Sequence, residues 1–364
     1  MTTVTEDLIR VYAESDALRL AELVRAREVT PAELTDIAIA LIERLDSRLN
    51  AVVIRSFEEA RRRAAEASVG GAFAGVPYLL KNIASACAGL PLTAGLEYRR
   101  NYVSPSDSEM VRRVRAAGLN ILGRTNVPEN GWCIATEPRF YGSTLNPWNP
   151  NVTPGGSSGG AAAAVAARIV PMAEGTDGGG SIRVPASCCG LVGLKPSRGR
   201  ITYGPDDVDV WFGSVSVFPL TRTVRDAAAF LDATAGNLPG DPYTPPAPAA
   251  PWLTTLQTSP RRLRIGVTFT TPWGPAFAPE VTEAVRSTAK LLEQLGHTVE
   301  EHAFTSDLET AWYHYNRMSA VQTVLDFEEL AKTIGRPVQE SDLVAFNWSL
   351  LERGRSLSGT EHAA

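Results

Sequence analysis

Apolar residues recur with a helical period through the first 70 residues of the chain. Leu34, Ile37, Leu41 and Leu45 follow one another at spacings of three, four and four, which gathers them on one face of a helix. That helix opens at Thr30-Pro31-Ala32-Glu33, a capping box with proline at the first helical position. Residues 16–28 are amphipathic in the same way, and a further helix is predicted over 57–67, ended by Gly70-Gly71. The pattern then changes. Val76-Pro77-Tyr78-Leu79-Leu80 is a short apolar run, read as a buried strand that delivers Lys81 at its end. A helix over 110–117 followed by a strand over 120–122 gives the alternation expected of an α/β sheet.

Between residues 139 and 198 only seven of 60 positions are charged, against 21% for the whole chain, so this stretch is the most buried. It holds a helix-like AAAAVAA run, a strand-like Ile169-Val170-Pro171-Met172, and two glycine-rich loops at 155–160 and 175–181. Further on, helices are predicted over 223–235, 279–295, up to 330 and over 342–353, with a strand over 264–268. Residues 237–252 are rich in proline and read as a surface connection. The chain therefore divides into an N-terminal helical region (1–70), a core (71–235), a Pro-rich connection (236–262) and a C-terminal α/β portion (263–364) of one overall domain.

Composition narrows the chemistry. Of the 364 residues 44% are hydrophobic, enough for a sizeable core and too many for a disordered chain. A net charge of −5 argues against a nucleic-acid partner. The absence of an 18-residue apolar run or a signal-like start argues against a membrane partner and for a cytoplasmic location. Cys87, Cys133, Cys188 and Cys189 fit no metal-binding spacing and are expected to be core thiols, so neither a metal nor an organic cofactor is expected. The four histidines lie at 297, 302, 314 and 362, so a catalytic centre built from the first 296 residues needs another base. Lysine is scarce too: Lys81, Lys195, Lys290 and Lys332 are all there is among 35 basic residues. Lysine can give up its proton where arginine cannot.

The glycine-rich loops do not bind phosphate by the known patterns. No lysine follows either loop as a P-loop requires, and G-x-G-x-x-G counted from Gly178 ends on Arg183. Glycines also serve to present a serine. In Gly178-Gly179-Gly180-Ser181 the backbone can turn successive N–H groups toward one point and hold an oxyanion beside the serine hydroxyl. Without histidine, a lysine desolvated enough to be neutral can act as base, and Lys81 is the candidate. Taken singly, Ser181 reads as a turn serine and Lys81 as a solvated strand end; the pair gives the catalytic reading its weight.

The chain resembles the amidase signature hydrolases. The residues that carry the resemblance are Gly155-Gly156-Ser157-Ser158-Gly159-Gly160, the run from Gly175 to Ala186, and Gly190-Leu191-Val192-Gly193-Leu194-Lys195-Pro196-Ser197. Lys81-Asn82, Gly123-Arg124-Thr125-Asn126 and the stretch from Tyr141 to Trp148 support it, in matching order over 10–235. Arg124 departs from the usual lysine, and Gly178-Gly179 from a pattern in which one position is often larger. The resemblance implies an α/β/α amidase fold, a mixed sheet covered by helices on both faces. It also implies a Ser–cis-Ser–Lys triad: Ser181 as nucleophile, Ser157 in a cis peptide with Gly156 as relay, and Lys81 as base. Backbone N–H groups of Gly178, Gly179 and Gly180 form the oxyanion hole, with Ser158, Asp177 and Arg183 in support. Asp177 and Arg183 are expected to pair, and Lys195 to be structural. Residues 129–143 and the helices after 305 are expected to line the pocket.

The implied activity is hydrolysis of a small-molecule carboxamide to acid plus ammonia or amine through an acyl-enzyme. FAGVPYLLKN and TEPRFYGSTLNPWNP stand closest to bacterial amidases of the 6-aminohexanoate cyclic-dimer hydrolase type. Two alternatives remain: a glutamine-hydrolysing transamidosome subunit, and a catalytically weak amidase-like scaffold. The last follows from the short C-terminal portion, which lacks the usual Gly- and Pro-rich segment and is expected to leave an apolar face open to homo-oligomer formation.

Overall fold

The computed structural model describes residues 5–66, 70–205, 207, 209–271, 276–302 and 305–363. Ala67, the expected last residue of the helix from Phe57, lies outside them, and so do residues 1–4 of the N-terminal region. The capping box forms as its sequence requires. Thr30 accepts from the Glu33 amide, the Glu33 carboxylate accepts from the Thr30 amide, and the helix Pro31–Leu49 begins there. It buries Leu34, Ile37 and Leu41, while Leu45 is half-buried. Asp16 stands outside the preceding helix as its cap: its carboxylate accepts from the Arg19 amide, and the helix runs Ala17–Arg25.

The sheet has six strands: β1 (Val52–Arg55), β2 (Pro77–Lys81), β3 (Asn120–Thr125), β4 (Met172–Asp177), β5 (Val192–Gly193) and β6 (Ser216–Thr221). Their order is β1-β3-β2-β4-β6-β5. The central β2 is parallel to β3 and β4, whereas β1–β3, β4–β6 and β5–β6 are antiparallel, so the sheet is mixed. Every residue of β2, β3, β4 and β6 is buried, which requires helical cover on both faces. This is the expected α/β/α arrangement.

Two strand expectations need correction. The first 70 residues are not all helical, because β1 pairs with β3; four residues are too few for an alternating pattern to show. The strand expected at 169–172 begins only at Met172 and runs on through Glu174-Gly175-Thr176-Asp177, which the sequence presents as a glycine-rich loop. The cause is tertiary. Residues 172–177 pair one to one with β6, from Met172↔Thr221 to Asp177↔Ser216, and β6 carries Pro219, which hides it from pattern reading. The cysteines also divide: Cys87 and Cys189 are buried, but Cys133 and Cys188 are exposed, because 133 and 188 fall on loop and helix surfaces rather than in the core.

The alanine run becomes the helix Gly159–Ala166, buried from Gly159 to Val165, and lies against β2, β3, β4 and β6. Small side chains permit that closeness: a Cβ on Gly160 would come within 2.4 Å of the Asn126 amide nitrogen. Beyond the Pro-rich connection, β7 (Arg264–Val267) and β8 (Thr298–Glu301) pair in parallel on either side of the helix Pro279–Gln294. No residue of that helix is buried; Val281 and Leu291 are 48% and 54% exposed, and Leu295, just past its end, 65%. A groove of about 630 Å³ lies along this lobe, lined by Ile265, Val285, Leu292 and, from the main body, Ser187.

So thin a core predicts a local difference in stability. Backbone amides of β7, the helix Pro279–Gln294 and β8 should exchange with deuterium orders of magnitude faster than those of β2, β3 and β4, because opening the lobe exposes little new apolar surface. Equal protection in the two regions, measured by hydrogen exchange with mass spectrometry on the intact chain, would show the lobe to be covered in solution.

Candidate active site

Lys81 ends β2 with its side chain fully buried. Its Nζ donates to the Ser157 Oγ at 2.7 Å and to the Thr176 Oγ1 at 2.8 Å. Burial pushes its pKa down to about 7, against the opposing pull of Glu174 and Asp177. An amine in that range is neutral in a large share of molecules near pH 7. A neutral amine has a lone pair, so the Lys81–Ser157 contact can pass a proton toward nitrogen.

Ser157 sits in the first glycine-rich loop, where the Gly156–Ser157 peptide is cis. Thr136 staples that loop: its hydroxyl donates to the Gly155 carbonyl at 2.9 Å and accepts from the Gly159 amide at 3.2 Å. The adjacent Ser158 joins it to the second loop. Its amide donates to the Ser181 carbonyl at 3.2 Å, and its Oγ accepts from the Thr176 amide at 3.3 Å. Ser181 thus lies beside the loop that carries Ser157, at the start of the turn into the helix Arg183–Cys189.

Asp177 organises the second loop. Its buried carboxylate takes a two-pronged contact from Arg183, Nε at 2.8 Å and Nη2 at 2.9 Å. It also accepts from the amides of Gly180 at 2.7 Å, Ile182 at 3.2 Å and Arg183 at 3.3 Å. Burial alone would raise the carboxyl; the Arg183 guanidinium and the amides outweigh it and hold it below the usual range. One expectation changes as a result. The Gly180 N–H is turned onto Asp177, so it is not a free oxyanion donor. Lys195 Nζ donates to the Pro196 carbonyl at 2.8 Å.

Aromatic residues stand around Gly178 and Gly179. Trp132 stacks on Trp211 with centroids 4.1 Å apart, and Trp211 borders Gly178. A Cβ on Gly179 would come within 2.4 Å of the Tyr315 hydroxyl, so a larger residue here would have to displace the phenol of the helix Leu308–Ile334. Gly131 borders the Ser157 side chain. The turn at Glu129–Gly131 is bolted to the C-terminal helices: Glu129 accepts from the Val344 amide at 2.8 Å, and Asn347 Nδ2 donates to the Glu129 carbonyl at 3.0 Å. Both regions expected around the pocket therefore reach the serine loops. Thr136, Thr176, Trp211 and Tyr315 were not singled out by the sequence; Thr176 was hidden inside the glycine-rich motif itself.

The Amidase family profile matches residues 33–358. The 6-aminohexanoate-cyclic-dimer hydrolase of Paenarthrobacter ureafaciens is 40% identical over 356 residues, covering 96% of this chain and 72% of that protein. A solved structure of 6-aminohexanoate cyclic dimer hydrolase complexed with substrate superposes with a TM-score of 0.92 at 39% identity, covering 96% of this chain and 74% of its own. A bacterial aryl acylamidase of the amidase signature enzymes superposes with a TM-score of 0.87 at 30% identity, covering 96% and 74%. Similarity in sequence and in fold thus extends across both serine loops and the strand that bears Lys81, and the chain belongs to the amidase family of amide hydrolases.

Proposed function

We propose that this chain cleaves an amide C–N bond through an acyl-enzyme on Ser181, with Ser157 as proton relay and Lys81 as neutral base. The observation that carries the reading is the 2.7 Å contact between a fully buried Lys81 amine and the Ser157 hydroxyl. As the Ser181 Oγ attacks the carbonyl carbon, its proton passes to Ser157 and the Ser157 proton to Lys81. The oxyanion is met by backbone N–H groups of the Gly178-Gly179 turn. Return of the proton through Ser157 releases the amine, and water repeats the sequence to free the acid. Residues 71–235 supply this machinery, with 1–70 as a buttress, 236–262 as a connection and 263–364 as the portion that borders the pocket.

For the substrate we favour a cyclic or linear aliphatic amide of the 6-aminohexanoate cyclic-dimer kind, supported by the 40% identity over 96% of the chain. The place of action proposed is the cytoplasm; no helix among the described residues is long and apolar enough to cross a membrane. Self-association through the open face of the β7–β8 lobe is proposed on the exposure of Val281, Leu291 and Leu295. Leu291→Glu with Leu295→Glu should then reduce the mass measured by light scattering after size exclusion; an unchanged monomer before and after would dismiss the idea.

Ser181→Ala should abolish covalent labelling by a fluorophosphonate while leaving Tm nearly unchanged, since one hydroxyl is removed and no core packing is lost. Peptide mass spectrometry of the wild-type chain should place the adduct on Ser181. An adduct on Cys188, Cys189 or Ser158 would overturn the assignment, and no adduct at all would favour an inactive scaffold.

Activity should rise with pH through a limb near about 7, because only the neutral Lys81 amine accepts a proton and the protonated form prevails below that value. Lys81→Arg should lose at least about a thousandfold in kcat/KM, as much as Lys81→Ala, because guanidinium keeps the charge and cannot take the proton. Ordinary turnover by the arginine variant at neutral pH would refute the base role.

A further inference from the structure

Gly180 gives its N–H to Asp177, which leaves two of the three glycines before Ser181 to meet an oxyanion. The Gly178 and Gly179 amides have no acceptor among the described residues. Gly179 is exposed and Ser181 half-buried, so the turn opens to solvent where a substrate carbonyl must arrive. A side-chain hydroxyl stands at that opening. A Cβ on Gly179 would lie 2.4 Å from the Tyr315 hydroxyl oxygen and 3.2 Å from its Cζ. That oxygen is therefore within about 4 Å of the Gly179 Cα, one carbon–carbon bond further back.

Tyr315 is held there from two directions. Its ring stacks on Trp312, three residues earlier in the helix Leu308–Ile334, with centroids 5.6 Å apart. Three residues later, Met318 Sδ accepts from the Ser214 hydroxyl at 3.9 Å, and the Ser214 amide donates to the Trp211 carbonyl at 3.0 Å. The helix is thus tied to the turn whose indole borders Gly178. Burial pushes the phenol's pKa up, against the pull of the Ser319 hydroxyl and with the Asp177 charge in support, so the group is a neutral O–H donor. No carbonyl or carboxylate among the described residues takes its proton. Packing does not call for the oxygen. A phenylalanine ring would fill the same space through its Cζ, and a hydroxyl brought against glycine without an acceptor loses hydration and gains nothing.

We propose that Tyr315 is a further catalytic residue, whose hydroxyl donates to the carbonyl oxygen of the scissile amide beside the Gly178 and Gly179 N–H groups. This rests on the Ser181 acyl-enzyme reading. As the Ser181 Oγ bonds to the carbonyl carbon, the π pair of the C=O bond moves onto oxygen, and the nucleophile's proton leaves through Ser157 to Lys81. The phenol keeps its own proton and shares it with the oxyanion, in the place left open by Gly180. Its hydrogen bond strengthens as the charge develops, so it lowers the barrier more than it tightens binding.

The test is fluorophosphonate labelling of Ser181, in which the Oγ–P bond forms as fluoride leaves and the P=O oxygen stands where the oxyanion would. The rate is separated into its saturating value and the reagent concentration for half-saturation. Tyr315→Phe should cut the saturating rate about a hundredfold and leave the half-saturating concentration within about twofold. Tyr315→Leu, which removes the ring as well, separates the hydroxyl from a mere prop. A prop would leave Tyr315→Phe at the wild-type rate and show its loss only in Tyr315→Leu, and that result overturns the proposal. So does a loss in Tyr315→Phe that lies in the half-saturating concentration alone. Absence of any Ser181 adduct in the wild-type chain would instead refute the acyl-enzyme reading, so the two failures are distinguishable.

Discussion

Everything in this site depends on keeping one lysine out of water. Lys81 is acceptable in the core because its amine meets two hydroxyls, Ser157 and Thr176, and because its charge can be given up. Both hydroxyls come from chain far from it in sequence. The parallel pairing of β2 with β4 brings Thr176 beside Lys81, and the helix Gly159–Ala166, lying over both strands, fixes the loop that ends in Ser157. The central sheet is thus also the device that desolvates the amine.

Around that amine the structure sets a carboxylate held ionised beside an amine that burial pushes toward its neutral form. Asp177 is saturated by Arg183 and three amides, so it holds the serine turn and has little freedom to change state. Its partner is half exposed, and breaking the pair would leave the buried carboxylate with the amides alone. The turn that presents Ser181 is consequently set by an ion pair rather than by the glycines alone. The same saturation explains why Gly180 is not a free donor: its N–H completes the Asp177 shell.

Much of the scaffold was readable from the chain because its signals are local. The Thr30–Glu33 box, the Leu34-Ile37-Leu41 face and the apolar run before Lys81 are properties of neighbouring residues, and each formed nearly where expected. The serine loops were readable for a different reason, their motif. What the sequence hid was long-range. β4 passes through a Gly-Thr-Asp segment that looks like loop, and only its one-to-one pairing with a proline-bearing β6 makes it strand. Thr176 gains its importance from the same crossing, since no spacing within the sequence brings it to Lys81.

The boundary of the pocket follows from a steric exchange. Tyr315 reaches the backbone of Gly179 so closely that a Cβ there would have to push its hydroxyl aside. Space beside the serine turn is thereby filled from the C-terminal helices instead of from the turn itself. Glu129 fixes that arrangement, since its buried carboxylate binds the Val344 amide and its carbonyl receives Asn347, while the next residues, Gly131 and Trp132, border Ser157 and stack on Trp211. A substitution on the helix Leu308–Ile334 or Ala345–Ser356 can therefore move the surroundings of Gly179 and Gly131 without touching the lysine, the serines or the sheet that holds them. The serine loops and the C-terminal helices are thus separate parts of the chain, joined through the Glu129 turn by a few hydrogen bonds.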